Sequence, residues 1–128
     1  MISQIRIFAI FCFFSVLNAH GQQRIILDAD TGNEVDDLYA IVHALAVPEL
    51  EILALNATQW QSSQWATDNT MEDSYRLNSV LLSYMNKNGE VVSNRGAEGR
   101  LYDWGTQARP SHASNYIIEK AREMGDEK

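Results

Sequence analysis

Five carboxylates fall within ten residues in the stretch Asp28-Ala29-Asp30-Thr31-Gly32-Asn33-Glu34-Val35-Asp36-Asp37. Acids this close repel one another and raise each other's proton affinity unless positive charge lies among them. A divalent cation removes that cost, and calcium suits an all-oxygen set because it takes six to eight such ligands in a flexible arrangement. The stretch holds no His or Cys, so zinc and copper are disfavoured. A plainer reading is that acids gather at a helix N-terminus, where the dipole and free N–H groups favour them. That accounts for Asp36 or Asp37 but leaves Asp28 and Asp30 unexplained.

The elements around the stretch have to place these acids. Arg24-Ile25-Ile26-Leu27-Asp28 reads as a short buried strand delivering carboxylates at its C-terminal end. Leu38, Ile41, Val42 and Leu45 recur at helical spacing, so a helix is expected from about Asp36 to Val47, stopping near Pro48. A second strand follows over Glu51–Thr58. Strand, acidic loop, helix, strand is the opening of a parallel α/β sheet. Beyond a polar loop, Thr70 with Asp73 resembles a capping box, and Leu77, Val80, Leu81 and Tyr84 form the apolar stripe of a second helix ended by Asn88-Gly89. Val91-Val92 is a short candidate third strand and Asn94 to Pro110 a long loop. A final helix is expected from Ser111 or Ser114, burying Ile117, Ala121 and Met124 and closed by Gly125.

At 128 residues the chain is the length of one domain. Arg6 and the apolar run Ile7–Leu17 are followed by Ala19-His20-Gly21, the charged start, apolar middle and small-residue exit of a signal peptide. Residues 1–21 are therefore expected to be a signal peptide, and 22–128 the mature domain, secreted or periplasmic. The one cysteine, Cys12, lies in the removed segment, so the mature chain has neither disulfide nor thiol chemistry. A formal charge of −7 argues against nucleic-acid backbones and anionic membranes as partners. No later stretch is apolar enough to span a membrane.

Two other motifs share features with the acidic stretch. An EF-hand loop counted from Asp28 would need Asp or Asn, Gly and Glu where Gly32, Asn33 and Tyr39 stand. A haloacid dehalogenase-like phosphatase also starts with a strand and Asp-x-Asp, but wants Thr or Val where Gly32 stands. It is the alternative enzyme.

Ile25-Ile26-Leu27-Asp28-Ala29-Asp30-Thr31-Gly32, followed by Asp36-Asp37-Leu38-Tyr39-Ala40-Ile41, resembles the N-terminal signature of the inosine–uridine-preferring nucleoside hydrolase superfamily. There an apolar strand, Asp-x-Asp-x-Gly and an Asp-Asp pair opening a helix follow one another. This chain departs by extra residues between Gly32 and Asp36. The second strand, the helix after it and Asn94-Arg95-Gly96-Ala97 also fit, so the resemblance spans nearly all of residues 22–128 but only the opening part of the family domain.

The resemblance implies a Rossmann-like parallel sheet with flanking helices, incomplete in this chain, and calcium-dependent hydrolysis of an N-glycosidic bond in a nucleoside. It implies that Asp30 is a metal ligand and the general base towards water, and that Asp37 is a metal ligand. Asp36 is implied as a metal-site and substrate-binding acid beside them, and Asp28 as a structural one. The family's later metal ligands and late histidine have no counterpart here, so weak calcium binding and no turnover are expected of this chain alone. A secreted nucleoside- or sugar-binding module without turnover is the reading from a different class. Trp60, Trp65 and Trp104 fall in loops, where packing is the favoured role over stacking on a base or sugar. His43 and His112 receive no catalytic assignment, and Arg95 and Arg100 read as solvated loop charge.

Overall fold

The computed structural model describes residues 22–100 and 107–125. The signal peptide expected over residues 1–21 and the loop tryptophan Trp104 lie outside them. Three strands, β1 (Gln23–Ala29), β2 (Leu50–Ala57) and β3 (Val92–Arg95), form one parallel sheet in the order β1-β2-β3. Helices α1 (Asp36–Ala46), α2 (Thr70–Tyr84) and α3 (His112–Met124) follow the three strands in turn. This is the expected α/β arrangement, a small open parallel sheet with flanking helices. Among the described residues no helix is long and apolar enough to cross a membrane.

The middle strand explains the architecture. Ala54, Leu55, Asn56 and Ala57 are all fully buried, although successive side chains of a strand point to opposite faces. A parallel strand covered on both faces has this signature. Ala29, Ile41, Ile52, Leu55, Leu82 and Val91 make the core, with Ile25, Leu27, Leu45 and Leu81 packed against it. A register shift between Ile25 and Ile26 still leaves the strand ends aligned, pairing Asp28 with Asn56 and Ala29 with Ala57.

Helix α1 stops at Ala46, and Val47 turns extended, as the residue before a proline must. Ile41 is its buried residue, whereas Val42 is 36% exposed. The third strand runs further than expected. Asn94 and Arg95, read as loop from the sequence, pair with Asn56 and Ala57.

Helix α2 turns a different face inward from the one its apolar stripe suggests. Met71, Ser74, Asn78 and Leu82 are buried, while Leu77, Val80 and Tyr84 are 37%, 48% and 82% exposed. The reason is polar. The loops against this helix present a backbone N–H from Trp60 and a hydroxyl from Thr31, and Thr70 and Asn78 meet them. Thr70 is thereby not the cap. Asn69 is, accepting from the backbone N–H of Glu72 at 3.2 Å, while Asp73 accepts from Thr67 instead. The helix ends at Tyr84 rather than at Asn88-Gly89, with Asn86 in the left-handed region.

In α3 the capping box is Ser111 with Ser114. Its inward face is Ala113 and half-buried Tyr116, whose hydroxyl donates to the Leu53 carbonyl at 3.4 Å. Ile117, expected to be buried, is 37% exposed, Ala121 is also exposed, and Met124 is half-buried. Gly125 caps the helix in ordinary helical conformation, not the left-handed one a closing glycine usually supplies.

Candidate functional site

The three strands end together, and a polar row crosses the sheet at that level. Asp28, Asn56 and Asn94 occupy matched register positions. Asn94 donates to the Asn56 side-chain oxygen at 3.0 Å, and Asn56 donates to Asp28 at 2.7 Å. Asn56 is fully buried, and its amide satisfies one neighbour on each side. One carboxylate oxygen of Asp28, which is exposed, is thus held by the sheet. Asn56 and Asn94 escaped the sequence reading because a lone Asn near a strand end is uninformative until the register is known.

Beyond Asp28 the chain turns sharply. The Asn33 backbone N–H donates to the Asp30 carbonyl at 2.8 Å, and the Asn33 side chain donates to the Asp30 carboxylate at 3.2 Å. Ser63 donates to the Asn33 side chain, and Trp65 to the Asn33 carbonyl at 3.3 Å. The loop after β2 therefore grips the loop after β1. Gly32 sits under the Trp60 ring, where an added Cβ would lie 2.9 Å from a ring carbon. Trp60 is 6% exposed and packs, as favoured for the loop tryptophans, whereas Trp65 is 61% exposed. Gly96, at the end of β3, is needed for a similar reason: a Cβ there would stand 2.3 Å from the Ala57 carbonyl oxygen.

Asp36 and Asp37 form the first turn of α1, whose N-cap Val35 offers no capping side chain. The helix dipole favours ionised acids at that position. At Asp37 it loses. Burial, a hydrogen bond with the Asp30 carboxyl and the charges of Asp30, Asp36 and Glu34 push Asp37 up to about 6. Asp30 and Asp37 are thus brought into direct contact. Asp36 is exposed and stands near enough for its charge to act on Asp37, and Asp28 faces Asn56 instead. Among the described residues no group of three His, Cys, Asp or Glu side chains is gathered closely enough to hold a metal ion.

The donor chemistry at the Asp30–Asp37 pair fits a hard cation. Burial and the neighbouring acids Asp30, Asp36 and Glu34 raise the Asp37 carboxyl, and the repulsion among these charges is what an oxygen-seeking ion relieves. The residues that would hold it are Asp30 and Asp37, with Asp36 next to them.

Arg95 is exposed, as a solvated charge would be, but it lies in β3 and is paired. It binds Glu72 through two hydrogen bonds, at 2.7 and 3.0 Å, and lies 3.7 Å above the Tyr75 ring centroid. This pairing holds Glu72 below the usual carboxylate range and ties β3 to α2. His43 and His112 are exposed. An open hollow of about 650 Å³ lies beside Met71, Arg95 and His112. Another of about 590 Å³ lies around Arg24, Leu53 and Tyr116, in the lower half of the sheet and remote from the acids. No family model, curated protein or solved structure matches the chain.

Proposed function

We propose that this chain carries the acid site of a calcium-dependent N-glycosidic hydrolase acting on nucleosides, with a Rossmann-like fold of the nucleoside hydrolase type. The observation that carries the reading is the contact between Asp30 and Asp37, with Asp37 pushed up to about 6. Its place supports it too, because ligand-binding groups of open parallel sheets collect beyond the C-terminal ends of the strands. Calcium, when bound, supplies positive charge that acidifies water and anchors sugar hydroxyls.

The rest belongs to the chain's own residues. Asp30, fixed through Asn33, takes the proton of the attacking water at its carboxylate. The water oxygen bonds to the anomeric carbon as the bond to the base nitrogen breaks, and the base leaves with the bonding pair. Positive charge that develops on the sugar is stabilised by the surrounding carboxylates, Asp36 among them. The small-molecule partner is a nucleoside or a related sugar.

The test is release of reducing sugar from a panel of ribonucleosides, run with calcium and with chelator, on the chain and on Asp30→Asn. Calcium-dependent release that Asp30→Asn abolishes supports hydrolysis and would correct the expectation that this chain alone does not turn over. Calcium-dependent nucleoside binding without release is the outcome expected of this chain alone. Binding indifferent to calcium and to Asp30→Asn would replace the reading with a binding module, and neither binding nor release would overturn it.

A further inference from the structure

The contact between Thr31 and Asn78 is buried on both sides. Thr31 is 2% exposed, Asn78 is fully buried, and the Thr31 hydroxyl donates to the Asn78 side-chain oxygen at 2.6 Å across 47 residues of sequence. Asn78 does this at a cost. Among the described residues its amide nitrogen is buried with no partner, as are the Ser74 hydroxyl one helical turn earlier and the Trp60 indole nitrogen. A buried donor without a partner is destabilising, and an apolar side chain in its place would avoid the penalty. Stability of α2 alone therefore does not explain an asparagine here.

What Asn78 gains is hold over one residue. Thr31 lies between Asp30 and Gly32 in the tight turn that leaves β1, and the turn is closed from the other side by Asn33 on the Asp30 carbonyl and by the Trp60 ring over Gly32. Hydrogen bonds and a buried ring together restrict the Asp30 turn. Helix α2 enters this arrangement at Thr31, through Asn78, and at the Trp60 backbone N–H, through Thr70.

We propose that Asn78 is a positioning residue: it anchors Thr31 and thereby fixes the turn that aims Asp30 at Asp37, a role towards a bound cation that rests on the function proposed above. Asn78 touches no ligand and acts through the turn. Loss of a supporting hydrogen bond around a metal ligand typically costs about 10- to 100-fold in metal affinity.

The experiment uses the full chain with Thr31→Val, Thr31→Ser, Asn78→Leu and the Thr31→Val/Asn78→Leu double variant. Amide hydrogen exchange of the metal-free proteins is read at residues 30–37 and, as control, in β2. Calcium alone is the titrant for affinity. Thr31→Val and Asn78→Leu should each speed exchange at 30–37 while leaving β2 unchanged, and the double variant should be no worse than either single. Thr31→Ser should keep wild-type exchange. Calcium affinity should fall about tenfold or more in the first two and be retained in Thr31→Ser. If Asn78→Leu does not fold, the contrast between Thr31→Val and Thr31→Ser decides.

Exchange at 30–37 that is unchanged, or faster only together with β2, overturns the role. So do additive effects in the double variant, or unaltered calcium affinity in a loosened turn. Should the wild type bind no calcium, the proposed function fails, while exchange still decides whether Asn78 positions the turn.

Discussion

At the scale of single residues, the protonation of Asp37 has a measurable consequence. Its carboxyl is pushed up to about 6 in the folded chain from an ordinary 3.8. A folded-state pKa above the unfolded value means that the native state holds the proton longer. Stability from this group is present below about pH 4 and is lost as pH rises towards and through about 6. Because Asp37 keeps substantial solvent contact, the loss is on the order of 1 kcal/mol after allowance for screening. Asp37→Asn removes it. The urea midpoint of the variant should match wild type near pH 4, exceed it at pH 7, and show a flatter profile between. A steeper fall in the variant would mean that the repulsion is not at this site.

The pairing of Asp30 with Asp37 was legible in the sequence as crowded acids between an apolar strand and a helix. A separate, structural place for Asp28 was implied by the resemblance and not by the local residue pattern. Only the register that sets Asn56 beside it, and Asn94 beside Asn56, shows that Asp28 faces along the sheet. Thr31 and Asn78 were hidden for a related reason, since nothing in either local sequence points across 47 residues.

At the scale of elements, periodicity located each helix among the described residues but chose the wrong faces on two. For α2 the apolar stripe was real in sequence, yet Leu77, Val80 and Tyr84 lie outward because the inward positions must answer a hydroxyl and a backbone N–H. Hydrophobic pattern reports what could be buried, and polar partners decided what was. Substitution tests this. Leu82→Ala should cost about 2–5 kcal/mol, as a core truncation does, whereas Val80→Lys, on the exposed face, should stay within about 0.5 kcal/mol of wild type. Equal losses at the two positions in chemical denaturation would restore the face predicted from the stripe. The third strand shows a second limit. Val91-Val92 was visible as β-forming, but Ser93, Asn94 and Arg95 have no apolar run to mark them and join the sheet through pairing with β2.

At the scale of the whole molecule, a parallel sheet brings all three strand ends to one edge, and the two loops that leave β1 and β2 are laced together there. Apolar burial is concentrated below this edge, around Leu55, Ile52 and Leu82. Polar and acidic groups are concentrated at it, so the upper edge is the part of the molecule that a bound cation would strengthen most. A ligand that binds only the native state stabilises it by mass action, by about 2.7 kcal/mol at a hundredfold excess over its dissociation constant.

Isothermal titration of calcium into the wild-type chain and into Asp30→Asn and Asp37→Asn, near pH 6 in two buffers of different ionisation enthalpy, tests the central claim most directly. The account predicts saturable one-to-one binding to wild type, a buffer-dependent heat that reports release of the proton held by Asp37, and loss of both in either variant. Heat that never saturates, or binding that survives both substitutions, would contradict it.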